Sequence, residues 1–247
     1  MFKKIHITTN NDIFNQLYAC TTFEDMFSGR QGAVIGDFSD DIFHIVRTTT
    51  KYTLPSQKFN NIHYEIINKI QSSLNMPSIK LNNALIEIYN SKYRKMKYHS
   101  DQSLDLADDS YICVYSCYDK VHYNPRKLII KHKITGEQQD IVLDHNSVVI
   151  FSTKTNSNYL HKIILPSMTN KNDTQWLGIT FRLSKTPIYF KEKSAYFKIN
   201  DKKLRVANEE ETKEFYKLRG SENKLIDFVY PNLDYTISNS DMLNILV

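Results

Sequence analysis

Phe59, Ile62, Ile66, Ile67, Ile70 and Leu74 recur at three- and four-residue intervals behind Pro55. That period predicts an amphipathic helix over residues 56–74 with its apolar face packed on a sheet. From residue 83 onward the period changes to two. Short apolar or alternating runs at 84–89, 95–99, 111–118, 128–134, 139–143, 148–151, 159–165, 176–184 and 188–190 read as strands. Turn residues separate them at 108–109, 124–125, 135–136, 144–146 and 169–173. Upstream, 33–38 and 42–47 read as strands, Gly29-Arg30-Gln31-Gly32 as a turn, and one or two short helices are expected within 11–27. Many short strands at even spacing predict a sandwich or jelly roll, and helices ahead of such a run cover one sheet from outside. The expected fold is mainly β with flanking helices (α+β), its jelly-roll core at about 83–190 and residues 1–82 belonging to the same domain.

The tail, 191–247, changes character. Asn208-Glu209-Glu210-Glu211 opens a helix running to about Leu218, with Lys217 and Arg219 at its end, as the helix dipole favours. Beyond it the pattern is irregular but keeps Phe228, Tyr230 and Tyr235. This is the pattern of a packed extension.

Composition changes the picture little. The chain has 247 residues, the size of one large domain or a domain with an appendage, and 16 Tyr and 13 Phe against 6 Gly agree with many strands. No run of about eighteen apolar residues predicts a transmembrane helix, so no membrane partner is expected. The start, MFKKIHITTNNDIF, lacks a hydrophobic signal core, and an intracellular site (cytoplasm or nucleus) is expected. Three cysteines without CxxC spacing argue against a disulfide framework and against a structural zinc site. Cys113 and Cys117 share one strand face, as buried thiols do. The net charge of +5 permits a nucleic-acid partner without demanding one, and abundant Asn, Lys and Ile discount the lysines as a functional clue.

Candidate chemistry centres on His99-Ser100-Asp101. On an extended chain, side chains two apart project from one face, so an imidazole and a carboxylate can hold adjacent positions on a metal. A later histidine would complete the two-histidine, one-carboxylate set of non-haem Fe(II) oxygenases. His63-Tyr64-Glu65 has the same spacing but lies in the predicted helix, where residues two apart diverge. Of His122, His132, His145 and His161, the first and third sit in turns and the second between lysines. His161 shares a face with Ile163 and Leu165, which points inward. A core histidine held by hydrogen bonds is the plainer reading of that position. Arg182, inside the apolar run from Trp176, implies a buried anion from the protein or from a ligand such as a dicarboxylate, and Ser184 on the same face offers a further donor.

The order His99-Ser-Asp101, strands, His161, then Gly178-Ile-Thr-Phe-Arg182 resembles the Fe(II)/2-oxoglutarate-dependent oxygenases, and within them the AlkB-like branch, over about 42–186. The resemblance also rests on Arg47-Thr-Thr-Thr-Lys-Tyr52, Pro55, Tyr89 and Ser147-Val-Val-Ile-Phe151. It implies a double-stranded β-helix, with Fe(II) held by His99, Asp101 and His161. Tyr89, Arg182 and Ser184 are implied near the cosubstrate 2-oxoglutarate. Two positions depart from the AlkB-type pattern. Trp176 stands where a first arginine is usual, and Glu87 where an asparagine is usual. Either Arg182 is the second arginine and the distal carboxylate lacks its usual partner, or Arg182 and Ser184 together take that carboxylate. The second reading leaves no anionic end unpaired.

The implied reaction is oxidative hydroxylation or demethylation, with a nucleic-acid base as substrate. A protein side chain, a small molecule, a non-catalytic module of the same fold and an unrelated metal-binding jelly roll are the alternatives. Arg47, Lys51 and Tyr52 in the lid region and Lys97 beside the metal strand are the candidate substrate contacts. The run 47–52 reads equally well as a solvated edge strand.

Overall fold

A computed structural model of the chain describes residues 1–76, 79–120, 124–166 and 174–246. The expected turn at 169–173 and His122 lie outside these. The main sheet has eight strands. Seven run antiparallel in the order Lys3–His6, Ser147–Ser152, Tyr111–Tyr118, Trp176–Arg182, Asn83–Tyr89, Arg30–Gly36 and Glu24–Asp25. Gln57–Lys58 lies parallel beside Arg30–Gly36. A three-stranded sheet, Gln138–Leu143, Arg126–His132 and Tyr159–Ile164, packs against it.

Alternation along the strands separates two cores. Ile86, Ile88, Cys113, Cys117, Leu177, Ile179 and Phe181 face outward and are buried beneath helices Ile13–Ala19 and Asn61–Leu74, through Leu17, Ile66, Ile67 and Ile70. Residues between them face the second sheet: Tyr89, Val114, Tyr118 and Trp176 pack on Leu128, Ile130 and Ile163. Each fully buried side chain of this size contributes about 1.5–3 kcal/mol. The architecture is the expected one, mainly β with flanking helices, and its inner face has room for polar side chains at one end.

Local departures have local causes. The long helix starts at Asn61, not 56, because residues 57 and 58 pair with Ile35 and Gly36, and Phe59 N donates to Gly36 O at 2.7 Å. Asn60 N then donates to His63 Nδ1 at 3.1 Å, and Asn75, in the left-handed region at φ 54°, ends the helix. The expected strand at 95–99 survives only as bridges from Lys95 to Ile164 and His99 to His161. Arg30 opens a strand where a turn was expected; the turn is Phe27, Ser28 and Gly29, all at positive φ.

The expected division at 190/191 falls inside a hairpin of Pro187–Lys191 with Ser194–Phe197, which joins Ile42–His44 and Phe38–Ser39 in a further sheet. The tail helix runs Glu209–Glu222, four residues beyond the predicted end. Asn208 Oδ1 accepts from Glu211 N and Glu211 Oε2 from Asn208 N, both at 2.9 Å, a reciprocal cap. Among the described residues no helix is long and apolar enough to cross a membrane.

Candidate active site

His99 and His161 exchange backbone hydrogen bonds of 3.0 and 2.7 Å, which sets their side chains side by side with ring centroids 4.6 Å apart. Asn156, in the short helix Thr153–Asn158, clamps the backbone of Asp101: its Oδ1 accepts from Asp101 N and its Nδ2 donates to Asp101 O, each at 2.7 Å. Ligand atoms of His99, Asp101 and His161 then lie within 4.8 Å of one another. His161 Nε2 is 3.3 Å from Asp101 Oδ1. Two ligands about 2.1 Å from one ion, at right angles, sit about 3 Å apart, so the separation suits a shared metal. His99 Nδ1 is 3.0 Å from the Lys97 carbonyl oxygen, which can only accept. The proton therefore sits on Nδ1, and the Nε2 lone pair is left for a metal.

Charge favours the ligand forms. Burial pushes the Asp101 carboxyl up, but the Arg182 guanidinium, then His161 and His99, outweigh it and hold it well below the usual carboxylate range. Burial, with His161 and Arg219, pushes His99 down to about 3, so its imidazole is neutral.

These groups open into a pocket of about 560 Å³. Arg182 lines it and donates from Nε to Asp101 Oδ2 at 2.7 Å. Tyr89 lines it, and its hydroxyl donates to Glu87 Oε2 at 2.7 Å. Lys97 is at the mouth. Ser184 is elsewhere: its Oγ donates to Ile45 O at 2.5 Å and accepts from Thr186 N at 3.1 Å. Arg182 and Ser184 thus turn to different partners, Asp101 and Ile45. Arg47, expected at the substrate, is buried against Asp105. Lys51 is exposed, and Tyr52 is buried with its hydroxyl over Gly32.

Two contributions were not anticipated. Arg30 lines the pocket and pairs with Glu87, Nε to Oε1 at 2.6 Å. Tyr216, Arg219 and Asn223 bring the tail helix over the metal end. Arg219 donates to Ser100 O, and Asn223 Oδ1 accepts from Ser100 N at 3.1 Å. Their spacing, i, i+3 and i+7, marks one helix face and was the available signal.

A family model of the 2OG-Fe(II) oxygenase superfamily matches residues 38–182, and the chain belongs to that superfamily. It is an Fe(II)- and 2-oxoglutarate-dependent dioxygenase, and the His99, Asp101 and His161 cluster is the set of residues that suits the iron. Among solved structures, OsALKBH1 is similar with a TM-score of 0.51 and 11% identity, over 74% of this chain and 96% of that one. A prolyl-4-hydroxylase from Pseudomonas putida has a TM-score of 0.42 and 12% identity, over 74% and 92%. At these identities the likeness is one of fold. A search of curated proteins finds no match.

Proposed function

We propose that this oxygenase is AlkB-like and hydroxylates or demethylates a nucleic-acid base. The observation that carries the proposal is the rim of the pocket. Tyr98 lines the mouth beside Lys97, with Lys162 Nζ 4.2 Å and Lys131 Nζ 5.9 Å from its ring centroid. Its hydroxyl donates to Gln138 Oε1 at 2.8 Å, which holds the ring in place. A fixed aromatic face among cations stacks a base and grips phosphates. The fold likeness to OsALKBH1 supports the same branch.

Within the pocket, His99, Asp101 and His161 would hold the iron, which with 2-oxoglutarate and oxygen supplies oxidation of a C–H bond. Arg182 keeps Asp101 anionic and oriented. Tyr216, Arg219 and Asn223 line the pocket from the tail.

The test is binding of fluorescent single-stranded oligonucleotides between 50 and 200 mM salt. The expected log–log slope is about −0.7 per phosphate contacted, and Lys97→Ala with Lys162→Ala should shallow it by about 1–1.5. Wild-type protein that binds no oligonucleotide at 50 mM salt would refute the proposal and point to a protein side chain or a small molecule.

A further inference from the structure

The pocket has a second charged end, away from the iron ligands. Arg30 and Trp176 are both in register with Tyr89, one from each neighbouring strand. Directly opposed residues of antiparallel strands share a face, so Arg30, Tyr89 and Trp176 form one row on the inner face. The next row toward the iron is Gly32, Glu87 and Gly178, with Ser116 beyond it. Both neighbours of Glu87 lack a Cβ because other side chains lie over them. A Cβ on Gly32 would meet Tyr52 Oη at 2.6 Å, and one on Gly178 would meet the Trp176 indole at 2.0 Å. Arg182 starts from the row of Asn83, six residues from that of Tyr89, about 20 Å of strand. Both line the pocket: Arg182 reaches Asp101, and Arg30 reaches Glu87, with Nη2 at 2.5 Å from Oε1.

The charges at this end do not balance. Glu87 neutralises Arg30. Arg126, only 1% exposed, lies over the Tyr89 ring with its guanidinium carbon 5.2 Å from the centroid. Its two Nη atoms donate to the Tyr93 and Asn90 carbonyls at 2.7 and 2.8 Å, and among the described residues it has no carboxylate partner. Two guanidiniums against one carboxylate leave one buried positive charge, which is costly without an anion. Ser116 Oγ and Trp176 Nε1, on the same face, are buried without a hydrogen-bond partner. Arg126 has spent its Nη donors on the backbone, whereas Arg30 lines the pocket.

We propose that Arg30 receives the distal carboxylate of 2-oxoglutarate, with Arg126 supplying the balancing charge, and that Glu87 occupies Arg30 until the cosubstrate arrives. The anchor comes from the first long strand of the sheet, outside the residues the family model matches. Glu87 is a built-in competitor: a carboxylate that must share its guanidinium with an incoming one.

The test uses Fe(II)-loaded protein without oxygen, titrated with 2-oxoglutarate and with 2-oxopentanoate, which has the same five carbons and no distal carboxylate. The readout is the iron-to-ketoacid charge-transfer band. Arg30→Gln together with Glu87→Gln removes both charges and leaves neither buried alone. This pair should weaken 2-oxoglutarate by about tenfold or more, the worth of a charged hydrogen-bonded contact, and leave 2-oxopentanoate within about twofold. Glu87→Gln alone should tighten 2-oxoglutarate several-fold. Equal weakening of both ligands, or unchanged 2-oxoglutarate binding in the double variant, would overturn the assignment. A wild-type protein that gives the band with neither ligand would overturn the oxygenase chemistry itself, and the anchor with it.

Discussion

Arg47→Met decides whether Arg47 serves the substrate or the frame. The side chain is 4% exposed. Its Nε and Nη2 donate to the Asp105 carboxylate at 3.1 and 2.7 Å, and its Nη1 to the carbonyls of Leu233 and Tyr235 at 2.8 and 3.1 Å. Methionine keeps the volume and loses every one of these. Asp105, itself 0% exposed, would retain only the backbone N of residue 47 at 2.7 Å and Thr186 Oγ1 at 2.7 Å. Breaking one partner out of a buried ion pair costs about 3–5 kcal/mol, a large part of the about 5–15 kcal/mol that holds a domain together. At about 2–4 °C per kcal/mol for a chain of this size, the melting temperature should fall by roughly 6–20 °C. Circular dichroism melts measure it, and hydrogen exchange should show the segment around Leu233 and Tyr235 opening first. Arg47→Met with Asp105→Leu should recover part of the loss, because an apolar pair leaves no stranded charge. A melting temperature within about 2 °C of wild type, with oligonucleotide binding lost, would refute the frame and return Arg47 to the substrate.

His161→Ala should weaken Mn(II) or Fe(II) binding by at least about a hundredfold with the fold intact by circular dichroism, since outer partners of metal ligands alone are worth 10–100-fold. Asp241 gives a pH dependence. Burial, helped by Asp105 and opposed by Thr236 and Arg47, pushes its carboxyl up to about 7. A carboxyl raised in the folded state binds its proton more tightly there, so its contribution is full below about pH 4 and is lost as pH rises through about 7. Asp241→Asn, which keeps the shape and an acceptor for Thr236, should therefore melt several degrees above wild type at pH 8 and close to it at pH 4; equal gaps at both pH values would remove Asp241 as the cause.

How much of this was legible follows from where each signal lies. The sheet strands were readable because the period of two is local, and Ile86, Ile88, Leu177 and Ile179 all face the helices as alternation requires. His161 was separable from His132 because Ile163 beside it points inward, and both are buried. The helix start was misplaced because Gln57 and Lys58 are spent on a parallel pairing that no local pattern announces. Arg47 carried no local sign of its partner, which lies 58 residues on. Alternation put Arg182 and Ser184 on one face, but the strand ends at Arg182: Ser184 sits past the sheet's last paired row and turns to Ile45. Arg30 sits between two glycines that read as a turn, and only its register with Tyr89 makes it a pocket residue.

The distribution of these residues along the chain bears on specificity. His99, Asp101, His161 and Arg182 fall within 38–182, the part the superfamily shares. Arg30 precedes that part, and Tyr216, Arg219 and Asn223 follow it, yet all four line the same pocket. The shared core thus brings the groups that suit the metal, and the flanking segments add lining residues to the same cavity. Their anchoring differs: Arg30 is held by its strand pairing, Arg47 bonds the tail at the Leu233 and Tyr235 carbonyls, and Arg219 and Asn223 bond Ser100, between two of the iron ligands. A variant at Tyr216, on the same helix face, should change which substrate is oxidised, or how much cosubstrate is consumed without substrate, before it changes iron binding. Tyr216→Ala, at a pocket-lining residue 45% exposed in the wild type, is the substitution that separates the two. Metal affinity within twofold of wild type with altered oligonucleotide affinity would place the selection in the tail, and a parallel loss of metal would place Tyr216 in the frame instead.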